Sequence, residues 1–226
     1  MNPEPMLRPL DAADLPALLR LHAAVMQALP DPAMFRLFGG AESFLSSHFG
    51  ARGESLGAFE DGQLVGYGAL TRPQAGDRDN YAGDIGWAPE RAGRVALLSA
   101  AMVDPAYRGQ GLHPALIEAR LQLAAARGAP ELLVRAAPAN ALSRRTLLAQ
   151  GFAVVWLGVQ AEGSLRHVMW RPIGGAAWTG SPADAALRWV AGEDLDGQKQ
   201  LLQSGWLGVA TRAGDAAIGF APVASA

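Results

Sequence analysis

Apolar positions recur at helical spacing through Leu15, Leu18, Leu19, Leu21 and Val25, and Asp11 and Asp14 just ahead of them supply helix-start chemistry. Before them, residues 6–9 read as a short strand, and Pro30-Asp31-Pro32 breaks the helix at its far end. A second helical patch over 35–49 is interrupted at Gly39-Gly40 and restarts after Ala41-Glu42. Residues 55–59 and 63–70 flank Glu60-Asp61-Gly62, the pattern of two strands joined by an Asp-Gly hairpin turn. Residues 72–92 are polar, contain glycine and proline, and predict a loop carrying Tyr81, Asp84, Trp87 and Glu90. The run over 95–103 is almost continuously apolar, as a buried central strand would be.

Asp104-Pro105 ends that strand. Residues 112–128 predict a strong helix with Leu112, Leu116, Ala119 and Leu123 on one face and Gly128 as its stop. Residues 131–137 read as another strand. Asn140 is a good N-cap for a helix running to Gln150, and Gly151 stands where a left-handed residue closes such a helix. Residues 152–159 and 166–172 complete a strand pair. After Ile173-Gly174-Gly175 the pattern restarts as a strand (187–190), a helix (195–203) and a hairpin (206–220) around Gly214-Asp215. The expected division is thus a domain over 1–173 and a small α+β extension over 174–226. Within the extension, Leu201-Leu202-Gln203-Ser204-Gly205-Trp206 echoes Leu147-Leu148-Ala149-Gln150-Gly151-Phe152, and Trp-Leu-Gly-Val occurs at both 156–159 and 206–209. A degenerate copy and a coincidence in an Ala-, Leu- and Gly-rich chain both account for the echo. The extension is expected to pack on the main domain or on a partner subunit, which leaves a homodimer open.

Composition narrows the classes. Of 226 residues, 50% are hydrophobic and 18% charged, which suits one packed core rather than long disorder. The formal net charge is −2 with no run of like charges, so the basic stripe of a nucleic-acid binder is missing. With no cysteine, disulfides, thiolate metal sites and cysteine nucleophiles are excluded. His22, His48, His113 and His167 have no metal-ligand spacing, so no metal is expected. Glu4 and two prolines precede any apolar run, unlike a signal peptide, and no stretch has the length that spans a bilayer. The expectation is a soluble cytoplasmic protein acting away from membranes.

The candidate chemistry lies between the apolar strand and the strong helix. A helix start leaves several backbone N–H groups unpaired, and its dipole favours anions. Gly109 and Gly111 permit positive φ and close approach of the backbone to a ligand, and Arg108 adds a planar cation suited to phosphate. A P-loop needs a Lys-Ser/Thr pair where Leu112-His113 stand, and the dinucleotide fingerprint needs a third small residue where Pro114 stands. The residues therefore describe an anion cradle of another kind.

In this setting Arg108-Gly109-Gln110-Gly111-Leu112-His113, preceded by Val103-Asp104-Pro105-x-Tyr107, resembles the acetyl-CoA signature of the GNAT superfamily of N-acetyltransferases, Arg/Gln-x-x-Gly-x-Gly/Ala. A second family block, Asn-x-x-Ala-x-x-x-Tyr-x-x-x-Gly-Phe, is matched by Asn140, Gly151 and Phe152 at the right spacing. The order of elements follows the family from about residue 6 to 173. The resemblance implies an α/β fold with a mixed, splayed sheet flanked by helices. It also implies acetyl-CoA as cosubstrate: Met102 and Val103 would meet pantetheine, and Arg108, Gly109, Gln110, Gly111, Leu112 and His113 would hold the pyrophosphate. Asn140 would contact the cofactor, cap its helix, or do both.

The activity so implied is acetyl transfer to a primary amine of a small molecule by direct attack in a ternary complex. A backbone N–H of the central strand would polarise the thioester carbonyl. This sequence departs from the family at three points. His113 replaces a small residue, crowding the helix entrance while offering a ring that could touch phosphate. Pro114 removes one N–H. Leu147 stands where the family has a tyrosine thought to protonate the departing thiolate. A positioned general acid is worth about 10²–10⁴-fold, yet a thiol with a pKa of about 8.5 leaves with less help than an amine. The general base is unassigned: the strand over 95–103 has no carboxylate and only Ser99 as a polar side chain, so Asp84 and Glu90 are the nearest acidic candidates. Tyr81 and Trp87 either line an acceptor pocket or anchor the loop. The alternative reading is a catalytically weak or inactive CoA-binding sensor or interaction module. A binder of nucleotide phosphate is a third, against which the loop argues.

Overall fold

The structure is a computed structural model that describes residues 6–37, 39–180, 187–212 and 214–223. In chain order its first elements are β1 (Met6–Leu10), α1 (Leu15–Gln27), α2 (Ala41–Ser46), β2 (Gly53–Glu60), β3 (Gln63–Thr71), α3 (Pro89–Ala92) and β4 (Val95–Val103). They are followed by α4 (Leu112–Ala126), β5 (Glu131–Ala136), α5 (Ala141–Ala149), β6 (Ala153–Val159) and β7 (Leu165–Pro172). The last are β8 (Arg188–Val190), α6 (Leu195–Gln203), β9 (Trp206–Thr211) and β10 (Ile218–Pro222). The fold is mixed α/β, its strands mostly antiparallel and flanked by helices. The chain forms two compact units. One holds the described residues up to Pro73 together with Ala96–Ala129; the other holds Gln74–Val95 together with the described residues from Pro130 onward.

In the first unit the strands pair in the order β1-β2-β3-β4, each pair antiparallel. Asp61 and Gly62 both take positive φ (48° and 77°), the backbone that a tight hairpin turn needs to match strand twist. One face buries Leu18, Leu21, Val25, Leu45, Tyr67 and Met102 in a common cluster from α1, α2 and the strands. Asp11 begins this stretch by accepting from the Ala13 N–H at 2.8 Å, while the Asp14 carboxylate accepts from Asp11 N–H and from the Arg8 fork. The second helical patch is shorter than its apolar pattern: only Ala41–Ser46 is helical, with Gly40 extended before it.

Helix α4 buries a different stripe from the predicted one. Leu112, Leu116, Ile117, Arg120, Leu121 and Ala124 point inward, and Ala119 and Leu123 are only half-buried. Gly66 and Gly68 of β3 make this approach feasible, since a Cβ on them would meet Leu116 at 3.2 Å and Arg120 Nε at 2.7 Å respectively.

In the second unit the strand order is β5-β7-β6-β9-β10-β8, again antiparallel throughout. The segment after residue 173 therefore continues the sheet of this unit through the β6/β9 pair. The loop predicted over 72–92 closes with the short helix α3, which starts at a proline in its first turn. Arg91 in that helix forks onto Glu131 of β5 (2.7–3.2 Å), lies 3.4 Å above the Trp87 ring, and shares Glu131 with the Trp170 indole N–H at 2.8 Å. Residues 181–186, 213 and 224–226, which belong to the expected extension, lie outside the described residues.

Candidate functional site

Two local bonds shape the exit of β4. Asp104 N–H donates to Val65 O at 2.9 Å, and the Asp104 carboxylate accepts from Ala106 N–H at 2.9 Å, capping a 3-10 turn over Pro105–Tyr107. Residues Arg108, Gly109, Gln110 and Gly111 then run exposed to the start of α4, and Leu112 plunges into a cluster with Ala58, Val65 and Leu116. Gly109 and Gly111 have φ of 79° and 81°, and a Cβ on either would meet nothing within 4 Å. Backbone conformation, not crowding, thus demands glycine here, and the space beside the turn is open.

Gly111 is the N-cap of α4 and has no side chain to satisfy the first turn. Among the described residues, the N–H groups of Gly109, Gln110, Gly111, Leu112 and His113 have no acceptor; the first helical bond runs from Ala115 N to Gly111 O at 3.1 Å. These donors stand at the positive end of a 15-residue helix, beside the exposed Arg108. That is the chemistry a pyrophosphate needs, and the residues fit the group. His113 contributes no cation: burial, reinforced by the charge of Arg120, pushes its imidazole down to about 4. The Met102 side chain belongs to the core on the α1 side, and Val103 packs towards Leu112 and Leu116, so a ligand would meet the backbone of these residues.

Strand β4 is irregular at Ser99. Ala69 faces Ala100 and Leu70 faces Leu98, which leaves Ser99 as an extra residue in a β-bulge. The Ser99 hydroxyl is hydrogen-bonded to that of Thr71, so it is engaged across the strands. Behind the bulge lies the fully buried guanidinium of Arg120. Its Nη1 donates to Ala100 O at 2.9 Å and Ala69 O at 3.3 Å, and its Nε to Leu116 O at 2.8 Å. Burial lowers its pKa to about 10, which still leaves it charged near neutrality.

The two acidic candidates differ sharply in surroundings. Glu90 is exposed in the first turn of α3. Asp84 is half-buried, and its Oδ2 accepts from Gln160 Nε2 at 2.5 Å. Gln160 Oε1 in turn accepts from Arg135 Nη1 at 3.1 Å, and the same nitrogen donates to Glu162 at 2.6 Å. Desolvation raises the Asp84 carboxyl above the ordinary range, with Glu162 adding to it and the Gln160 bond opposing. Tyr81 is buried 5.2 Å beneath Arg135, and Trp87 is held between Arg91 and Trp170, so both aromatics act as anchors.

Asn140 Oδ1 accepts from Ser143 N–H at 3.1 Å and caps α5, which commits one end of its amide. Leu147 is buried on the same helix and offers no proton. Arg120, Gln160 and Glu162 are not among the residues that the sequence singles out. A signal existed only for Arg120, as a polar residue in step with Leu116, Ile117, Leu121 and Ala124 on one helix face.

Comparison with solved structures finds the same fold repeatedly. The ribosomal-protein-S18-alanine N-acetyltransferase from Escherichia coli aligns with a TM-score of 0.55 at 19% identity, over 79% of this chain and 97% of that one. Arabidopsis thaliana NAA60, solved in complex with acetyl-CoA, gives 0.56 at 18% identity, over 76% and 99%. The PaiA N-acetyltransferase from Thermoplasma acidophilum, solved with coenzyme A, gives 0.52 at 14%, over 74% and 98%. No curated protein matches the sequence itself. The model of the acetyltransferase (GNAT) family matches residues 17–152, which takes in most of α1, the strands around the bulge, the anion cradle and α5. The chain belongs to the acetyltransferase (GNAT) family.

Proposed function

We propose that this protein transfers the acetyl group of acetyl-CoA to a primary amine of a small-molecule acceptor. The observation that carries the reading is the uncapped start of α4, where the N–H groups from Gly109 to His113 lack acceptors beside the exposed Arg108, and open space surrounds Gly109 and Gly111. The pyrophosphate is assigned to these residues, and pantetheine to the backbone of Met102 and Val103. Asn140, whose Oδ1 accepts from the Ser143 N–H, is proposed as a further contact to the cofactor. Acetyl-CoA supplies an activated thioester; everything else falls to the chain.

The acceptor must arrive as a free amine. Its nitrogen forms a bond to the carbonyl carbon, the C–S bond breaks, one amine proton leaves to a base, and the thiolate departs to be protonated. Asp84 is the proposed base, because it is the candidate carboxylate held in a fixed and partly desolvated position. With Leu147 in place of a phenol, thiolate departure relies on the low basicity of sulfur and on solvent. The bulge at Ser99, held from behind by Arg120, is the proposed source of a backbone N–H for the thioester oxygen.

The test is thiol release from acetyl-CoA over a panel of small amines and peptides with free N-termini. Sustained turnover on small amines supports the proposal. Turnover confined to peptides moves the acceptor to proteins. CoA binding with no turnover on any member favours the sensor or interaction module.

A further inference from the structure

The strands and helices of the second unit repeat. Residues 134–157 and 188–211 correspond at a constant offset of 54 with no insertion. Asn140 and Asp194 are both N-caps, each accepting from the N–H three residues on (Ser143 at 3.1 Å, Gly197 at 2.9 Å). Helices α5 and α6 are each 9 residues long. Gly151 and Gly205 end them with φ of 80° and 79°. The following hairpins even share an irregularity: Val155 is passed over between the pairs Val154–Met169 and Trp156–Val168, and Val209 between Gly208–Phe220 and Ala210–Gly219. In the last strands His167 faces Ala136 and Leu157, as Ile218 faces Val190 and Thr211.

The strand order reads the same from either end, β5-β7-β6 against β8-β10-β9, and the halves meet where Val154 pairs with Gly208, its own equivalent. A residue opposite its equivalent marks a local two-fold axis. Coincidence in a biased composition would account for a few matching letters but not for matched caps, bulge and register.

We infer that residues 188–221 are a second copy of the βαββ motif, fused in cis, which takes the place of a second subunit at the edge of β6. A βαββ motif alone leaves that edge with unpaired N–H and C=O groups, and a copy of itself turned about a two-fold axis is the simplest cover. Here the cover is permanently attached and adapted to one side. In a symmetric pair Val154 would face Val154; instead it faces Gly208, where a Cβ would lie 3.0 Å from the Val154 Cβ and 2.9 Å from Ile218 Cγ2.

Equivalent buried polar residues on the two helices lock the halves together. Arg144 Nη2 donates to Ala216 O of the copy at 2.7 Å. Its counterpart Gln198 donates to Ala191 O and Gly192 O at 2.9 and 3.1 Å, which fixes Oε1 as the acceptor for His167 Nε2 at 2.8 Å. The copy spans only the counterpart of 134–170, so it carries no anion cradle.

The chain has no cysteine, so introduced thiols report the neighbour of β6 directly. V154C should give no disulfide-linked dimer under mild oxidant, and V154C/G208C should lose both thiols while its mass stays that of one chain. A disulfide between the introduced thiols of two chains would overturn the inference, as would two thiols persisting in the double variant. Hydrogen exchange on the unmodified chain guards against misfolded variants. Residues 153–159 and 206–211 should exchange slowly together; fast exchange of 206–211 beside a protected 153–159 would also overturn it.

Discussion

The guanidinium of Arg120 occupies the space that a side chain on Gly68 would need, with Nε 2.7 Å from where the Cβ would lie. From there it donates to Ala69 O and Ala100 O on the two strands that frame the bulge at Ser99. A bulge disrupts its ladder, and a charged donor behind it restores partners for the carbonyls.

Gly68→Ala is therefore expected to push the guanidinium off these carbonyls and lower kcat about tenfold, with KM for acetyl-CoA little changed. Arg120→Met removes the donor outright and should cost about 1–3 kcal/mol in urea unfolding, the range for buried groups left unpaired. Full activity in Gly68→Ala would separate Arg120 from the function of the strand.

Asp84 should act ionised. Its carboxyl is raised by desolvation, so kcat/KM should climb as pH rises through a value above the ordinary carboxylate range. Asp84→Asn should reduce kcat by about 10²–10⁴-fold and remove that limb of the profile, while Glu90→Gln leaves both unchanged. Steady-state rates from pH 4.5 to 9 decide the matter; an Asp84→Asn rate within twofold of the parent rules the role out.

Three strongly desolvated histidines tie stability to pH, His113 at the start of α4 among them. Desolvation lowers all three from 6.5 to about 4, with His48 against Tyr67 Oη at 2.7 Å and His167 against Gln198. Between those values the unfolded chain binds protons that the folded chain refuses. Stability is therefore whole above pH 6.5 and drains as pH falls towards 4, by up to about 1.4 kcal/mol per pH unit for each site. Urea midpoints at pH 7, 6 and 5 should fall in step, and His48→Gln should make the slope shallower. A flat series would contradict the burial of neutral histidine.

Much of this was legible in local chemistry. The Asp61-Gly62 turn, the caps at Asp11 and Asn140, and the anion cradle each depend on a few contiguous residues, so their sequence signals survive in the structure. What escaped depends on distant partners. Arg120 is polar, so the apolar pattern predicts an inner face of α4 through Ala119 and Leu123, while the glycines that admit the arginine lie on β3. Asp84 looks like any loop carboxylate until Gln160 is placed against it. Of the two echoes in the tail, register supports the one from 147–152 to 201–206, at the offset of 54, whereas Trp-Leu-Gly-Val at 156–159 and 206–209 is offset by 50 and does not correspond.

Calorimetric titration of CoA into the native chain and into Gly111→Val tests the central claim most directly. Valine cannot comfortably hold the φ of 81° found at residue 111, so the cradle distorts while the core stays whole. The account predicts one CoA per native chain and affinity at least about tenfold weaker in the variant, the scale of a lost charge-assisted bond. No binding to the native chain, or equal binding by both, would contradict it.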